Sequence, residues 1–220
     1  MNNKYNYSNF SSSDYNFDGF DGPKQGEKVL DFKAKTLDGK EVKLSDYFGK
    51  PLVLEMGSFT CPVYAGMISK MKKIRDDFPE IEFLVLYVRE AHPGERRGAH
   101  KSLEEKIKNA QESCDYYKED RTVLVDGIDG EAHRKYGSFP NSVYVINEMG
   151  TVVWRAKWNR SKELRKALSA LLAGGEVPRE LDVETPGALR LSALFKGGFV
   201  AVKDFVLGIP SLIWKKFILK

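Results

Sequence analysis

The sequence predicts a three-layer α/β/α sandwich, and three observations carry that prediction. Short apolar runs bounded by turn residues alternate with stretches whose apolar residues recur every three or four positions. The elements run hairpin, strand, helix, strand, helix, strand, strand, helix, so parallel strands joined by helices are closed by an antiparallel pair and a last helix. The 220 residues are 42% hydrophobic and 12% aromatic, which suits one ordinary domain with extensions and excludes a wholly disordered chain.

Alternation at Leu30, Phe32 and Ala34, the Asp38-Gly39 turn, then Val42 and Leu44, make an N-terminal β-hairpin. Ser45 reads as the cap of a short helical turn ending at Gly49. The run 52–56 is short, apolar and turn-bounded, a buried strand. Met67, Met71, Ile74 and Phe78 line one helix face, and 83–88 is a second buried strand. Leu103, Ile107, Ala110 and Cys114 mark another helix. Strands follow at 122–125, 142–146 and 151–156, the last two joined by a turn. Ser161 caps a helix with the stripe Leu164, Leu168 and Leu171, and Gly174 stops it. This order is that of a thioredoxin-like sandwich.

Residues 1–24, rich in Asn, Ser, Asp and aromatics without periodicity, read as a disordered arm. Its aromatics (Tyr5, Tyr7, Phe10, Tyr15, Phe17, Phe20) belong to an unstructured leader or serve as stickers for a partner. The domain is expected over 25–175, a linker over 176–186 and a separate tail over 187–220. The net charge of +4 is too small to argue for nucleic acid. It is unevenly spread: from Thr185 onward Arg190, Lys196, Lys203, Lys215, Lys216 and Lys220 face one acid, Asp204.

Two cysteines exclude a disulfide-dense scaffold and a four-thiolate zinc site, and the three histidines show no metal-ligand spacing. The first thirty residues carry no apolar export run. The longest uncharged apolar stretch, 205–214, is ten residues interrupted by Gly208 and Pro210. That is about half of the roughly 20 needed to span a bilayer. The expectation is a cytoplasmic chain, attached at most peripherally to a membrane.

Cys61 stands in Gly57-Ser58-Phe59-Thr60-Cys61-Pro62, directly after a predicted buried strand and before a predicted helix. A helix N-terminus offers unpaired N–H groups and positive dipole, which stabilise a thiolate and make it a nucleophile. Pro62 fits the first helical position. Ser58 and Thr60 offer hydroxyls toward the sulfur or a bound substrate. The competing reading is a small buried hydrophobe at a strand end. Cys114 shares a stripe with Leu103, Ile107 and Ala110, which favours a buried, inert thiol over a resolving cysteine. The residue three after Cys61 is Tyr64, so a Cys-x-x-Cys dithiol exchanger is disfavoured. His100 and His133, among charged neighbours, read as surface residues, while Trp154 and Trp158 fit strand packing.

The 57–62 stretch, Glu90-Ala91-His92 just past the second buried strand, Val-Leu-Val-Asp at 123–126 and the 139–146 segment resemble iodothyronine deiodinases in order and spacing, over roughly 28–172. In that family selenocysteine usually stands at the position of Cys61. The resemblance implies a thioredoxin-like, peroxiredoxin-related fold and reductive thiol or selenol chemistry. It makes Cys61 the nucleophile and sets His92 near it as proton donor, with Glu90 orienting the imidazole. Pro140 stands where thioredoxin-like folds set a cis-proline beside the reactive cysteine, an ordinary trans proline being the alternative. The sequence departs from the family in three places. Sulfur replaces selenium, Pro93-Gly94-Glu95-Arg96 stands in place of Asp-Gly-Trp, and Ser142 occupies the position of an expected arginine.

These readings predict a thiol-dependent oxidoreductase acting on a small electrophilic substrate, regenerated by an external thiol reductant, without bound cofactor, metal or nucleic acid. A peroxiredoxin-like peroxidase is the enzyme alternative: Ser58 can replace its threonine, but its arginine is missing. A non-catalytic redoxin-fold module at a membrane surface or partner is the alternative of another class. In helical projection Leu191, Leu194, Phe195, Phe199, Val202, Phe205 and Val206 gather opposite Arg190, Lys196, Lys203 and Asp204. With Trp214, Lys215, Lys216 and Phe217 suited to a headgroup zone, the tail is a candidate for peripheral membrane contact; packing on protein is the equal alternative.

Overall fold

The computed structural model describes residues 5–17, 19–182 and 185–218, with side chains described as far as Pro210. The hairpin forms as expected from β1 (Lys33–Thr36) and β2 (Glu41–Lys43). A 3-10 turn at Leu44–Tyr47 follows; Ser45 lies inside it rather than capping it, and bonds Asp31 instead. Then come β3 (Leu52–Gly57), α1 (Pro62–Asp77), β4 (Glu82–Tyr87), α2 (Leu103–Tyr117) and β5 (Thr122–Val125). A short helix absent from the sequence reading, α3 (Glu131–Lys135), precedes β6 (Val143–Ile146), β7 (Val152–Ala156) and α4 (Ser161–Leu172). Five residues are too few to register a helical period, and α3 is held by its buried Ala132 and His133.

One sheet runs β2-β1-β5-β4-β3-β6-β7. The three central strands, β5, β4 and β3, are parallel; β1 pairs antiparallel with β5, and β6 with both β3 and β7. Alternation sorts side chains to two cores. Val53, Phe83, Val143 and Val145 meet α1 and α4 on one face through Met67, Met71, Ile74, Leu164 and Leu168. Leu52, Leu54, Leu84 and Leu86 meet Ala110, Cys114 and Tyr117 of α2 on the other. The result is the predicted thioredoxin-like three-layer sandwich, with the carboxyl ends of β3 and β4 opening toward the 58–61 and 88–101 loops, where ligands of open α/β sheets bind.

Two segments differ from expectation. The arm is folded onto the domain: Tyr5, Tyr15 and Phe20 are buried, and 12–14 form a 3-10 turn capped by Ser11. Its aromatic rings cover enough apolar surface to offset the ordering that composition alone suggested was too costly. The linker is likewise pinned, for Leu181 bridges Ala156 at the sheet edge and Glu180 pairs with Arg155 at 2.8 Å. The tail forms α5 (Leu194–Gly197) and α6 (Phe199–Ile218). Trp214, Lys215, Lys216 and Phe217 have side chains outside the described residues.

Candidate active site

Cys61 is the cap of α1: its Sγ accepts the Tyr64 N–H at 3.4 Å, and Pro62 opens the helix. Tyr64 must pack flat on Gly57, where a Cβ would come within 2.5 Å of its ring. The expected low thiol pKa does not result. Burial pushes the Cys61 thiol up to about 12, against the opposing pull of the Tyr64 and Val63 N–H groups, with Glu55 and Glu90 adding negative charge. The side chain is 1% exposed. Desolvation of a thiolate outweighs the pull of these two helix-end N–H groups.

The Glu90–His92 segment is clamped onto the 58–60 turn. Ser58 Oγ accepts the Ala91 N–H at 3.1 Å. Thr60 donates its N–H and its hydroxyl to Glu90 Oε2, at 2.9 and 2.7 Å, and its hydroxyl accepts the His92 N–H at 3.1 Å. In this structure both hydroxyls, expected to face sulfur or substrate, are engaged with the loop. Tyr87 donates to Glu90 Oε1, and His100 Nε2 lies 3.5 Å from the same oxygen. Burial raises the Glu90 carboxyl, but the nearby His100 and the hydrogen bonds from Tyr87 and Thr60 prevail and hold it below its ordinary value.

Glu90 therefore pairs with His100 rather than orienting the His92 ring. His100 is buried, not a surface residue. Its neighbours in sequence are charged, and only the approach of the 88–101 loop to β4 reveals its partner. The same loop borders a cleft of ≈ 850 Å³ lined in part by Asn6, His100, Lys101 and Arg134. His92 is brought beside Thr60 by its backbone, while its ring packs on Phe10 at 4.3 Å and Phe205 at 5.3 Å. Burial takes its pKa down to about 3, and its Nδ1 has no partner.

The arm forms the cover. Arg89 lies over the rings of Tyr5, Tyr7 and Tyr15, and donates to the Tyr5 carbonyl at 2.8 Å. Tyr15 packs tilted and Phe17 edge-on against Phe139, which meets Trp158. His133, also expected at the surface, is fully buried: Nε2 lies 2.8 Å from the Phe139 carbonyl and Nδ1 2.8 Å from Tyr5 OH. A carbonyl only accepts, so Nε2 carries the proton and Nδ1 accepts from the phenol.

Pro140 is trans, as is every peptide bond among the described residues, correcting the cis expectation. The reversal before it is made instead by left-handed Gly137 and Ser138. Beneath the site, fully buried Glu55 of β3 bonds Arg121 at 2.6 Å, Asn159 at 2.6 Å and Asn141 at 2.8 Å. Nothing local marked this cluster, whose members come from four distant segments. Ser142 Oγ and Trp158 Nε1 are buried without partners. Cys114 is buried and burial pushes its thiol up to about 12, in keeping with an inert core position. Among the described residues no group of three or more His, Cys, Asp or Glu is arranged to hold a metal ion.

The iodothyronine deiodinase family model matches residues 6–170. The chain belongs to the iodothyronine deiodinase family. The match begins inside the arm, in accord with its packing on the domain. The chain is 26% identical over 145 residues to a type II iodothyronine deiodinase of Fundulus heteroclitus, covering 58% of this chain and 54% of that protein. It is 30% identical over 125 residues to a thyroxine 5-deiodinase of Gallus gallus, covering 51% and 48%. The chain thus spans about half the length of these curated relatives. Among solved structures, a secreted Mycobacterium tuberculosis disulfide oxidoreductase homologous to E. coli DsbE aligns with TM-score 0.50 and 20% identity, over 63% of this chain and 95% of that one. That likeness supports the thioredoxin-like fold.

Proposed function

We propose that this deiodinase-family chain is a thiol-dependent oxidoreductase in which Cys61 is the nucleophile toward a small electrophilic substrate, and that the reaction is reductive dehalogenation. The observation that carries the reading is the clamp of Glu90 and His92 onto Thr60, next to Cys61 at the start of α1. It ties the turn that carries Cys61 to the backbone of His92 and, through Glu90, to His100 at the carboxyl end of the sheet.

In this scheme the arm shifts off the site and readmits water, so that the Tyr64 and Val63 N–H groups stabilise the thiolate. The Cys61 thiolate takes the halogen, leaving the carbon–halogen electron pair on carbon, which is protonated. His92, whose ring is freed of Phe10 and hydrated by the same shift so that it can hold a proton, is the proton donor. An external thiol then attacks the sulfenyl halide, releasing halide and forming a mixed disulfide. A second thiol frees Cys61 and leaves as disulfide. The unpartnered His92 Nδ1, Ser142 Oγ and Trp158 Nε1 are the polar groups offered to the substrate.

The test is halide release from an iodinated phenol with dithiothreitol, set beside peroxide consumption. Halide release by the wild type and none by Cys61→Ser supports the reading; Cys61-dependent peroxide turnover alone favours a peroxidase. The burial of Cys61 favours a second reading, a redoxin-fold module without catalysis, which predicts neither activity.

A further inference from the structure

Helix α6 is apolar on two faces. Its inner face packs on the domain: Ala201 is fully buried, Phe205 meets the His92 ring at 5.3 Å, and a Cβ on Gly208 would meet Phe10 at 3.1 Å. The outer face, Phe199, Lys203, Val206, Leu207 and Pro210, follows the helical spacing of four, three, one and three, and every member is exposed. Phe199 is 75% and Leu207 66% exposed. The single apolar stripe projected from the sequence is therefore divided, with Leu194 and Phe205 turned in and Phe199 and Val206 turned out.

The apolar surface continues past α6. Leu189, Leu191 and Phe195 are exposed on the approach, Phe195 at 61%. The charges beside this surface are cationic. Arg96 donates to the Phe195 carbonyl at 3.4 Å, Arg190 and Lys203 are exposed, and the Lys196 ammonium sits over the Tyr116 ring at 3.3 Å. The two nearby acids are committed elsewhere: Asp204 accepts from Asn9, and Glu95 accepts the Phe199 and Val200 N–H groups that open α6. The helix is held against the domain, not free to stand away from it. At the crossing of Gly94 and Gly197, a Cβ on Gly94 would come within 2.5 Å of the Gly197 carbonyl oxygen.

We propose that this outer face docks the protein on an anionic lipid surface, with α6 lying in the headgroup plane. Charge complementarity names the occupant: large apolar side chains beside Arg96, Arg190, Lys196 and Lys203, which outnumber Asp204 and Glu95, match an anionic bilayer surface. Spanning is not the mode, for no helix among the described residues is long and apolar enough to cross a membrane. The inference stands apart from the chemistry of Cys61.

Flotation of the full chain with phosphatidylcholine vesicles, with and without phosphatidylserine, tests it. The expected result is flotation that requires phosphatidylserine and weakens as salt rises. Lys203→Ala lowers partitioning about fivefold, the worth of one cation near an anionic surface. The Phe199→Asp/Leu207→Asp variant lowers it at least about tenfold. Lys203 is solvent-facing, so Lys203→Ala remains a valid test if the double variant fails to fold. Absence of flotation, equal flotation on both vesicle types, or partitioning untouched by Lys203→Ala overturns the proposal. So does a lipid-free dimer that the double variant dissolves, which makes a second copy the occupant.

Discussion

Thr60 gives both its backbone N–H and its hydroxyl to one oxygen of Glu90, at 2.9 and 2.7 Å, across thirty positions of sequence. The same hydroxyl oxygen accepts the His92 N–H. One side chain therefore joins the turn that carries Cys61 to the segment that carries both candidate acid–base residues. Removal of the hydroxyl leaves the buried His92 N–H unsatisfied, at about 1–3 kcal/mol, and takes from Glu90 one of its two bonds to Thr60, at about 1 kcal/mol more. Thr60→Val is expected to lower the urea-unfolding free energy by about 2–4 kcal/mol, while Thr60→Ser restores most of it. A Thr60→Val protein of wild-type stability contradicts the clamp.

Cys61 reactivity should follow its burial. A thiol raised to about 12 is almost wholly protonated at neutral pH, and its alkylation rate should rise about tenfold per pH unit across the neutral and alkaline range. Tyr15 lies within electrostatic reach of Cys61 and packs against Phe139 in the cover. In a Cys114→Ala background, Tyr15→Ala should accelerate alkylation by about tenfold or more and move the profile to lower pH. Mass-spectrometric labelling with iodoacetamide reads both effects; an unchanged profile places the barrier elsewhere.

Buried histidines set an acid limit. His133 and His92 each have folded pKa values lowered to about 3 from 6.5 by burial, so both are neutral in the folded chain at pH 7. Below pH 6.5 the unfolded chain binds protons that the folded chain refuses. Stability is thus full above 6.5 and declines as pH falls toward 3, by up to about 1.4 kcal/mol per pH unit for each histidine. His133→Gln should reduce the slope of urea midpoint against pH in this window. Tyr5→Phe, which strips the partner from Nδ1, should cost about 1–3 kcal/mol at pH 7. Equal slopes in wild type and His133→Gln would contradict a neutral His133.

The Glu55–Arg121 pair is buried on both sides and sits below the cysteine. Arg121→Met strands two buried carboxylates, Glu55 and Glu119, and should destabilise by at least about 3–5 kcal/mol. The Glu55→Gln/Arg121→Met double variant should lose less than the single Arg121→Met, because Glu119 alone, and not Glu55 as well, is then left without its cation. Chemical denaturation of wild type, Glu55→Gln, Arg121→Met and the double variant completes the cycle, and additive losses would count against a direct pair.

How far the site was legible divides along the range of the interactions involved. The strands 52–56 and 122–125, the helix beginning at Pro62 and the position of Cys61 at its cap follow from periodicity and turn residues within about a dozen positions, and these the sequence alone determined. Burial, partnership and charge state were decided only by the folded chain. Glu90 found His100 because the 88–101 loop turns back over β4, and His133 lost its proton because Tyr5, 128 residues earlier, closes over it. The arm's composition is polar enough to suggest disorder, yet its rings find Arg89 and Phe139, contacts that no local pattern encodes. A pKa is a property of solvent exclusion and neighbouring charge. Residue type and spacing can put a thiol at a helix end, but only tertiary packing determines whether water reaches it.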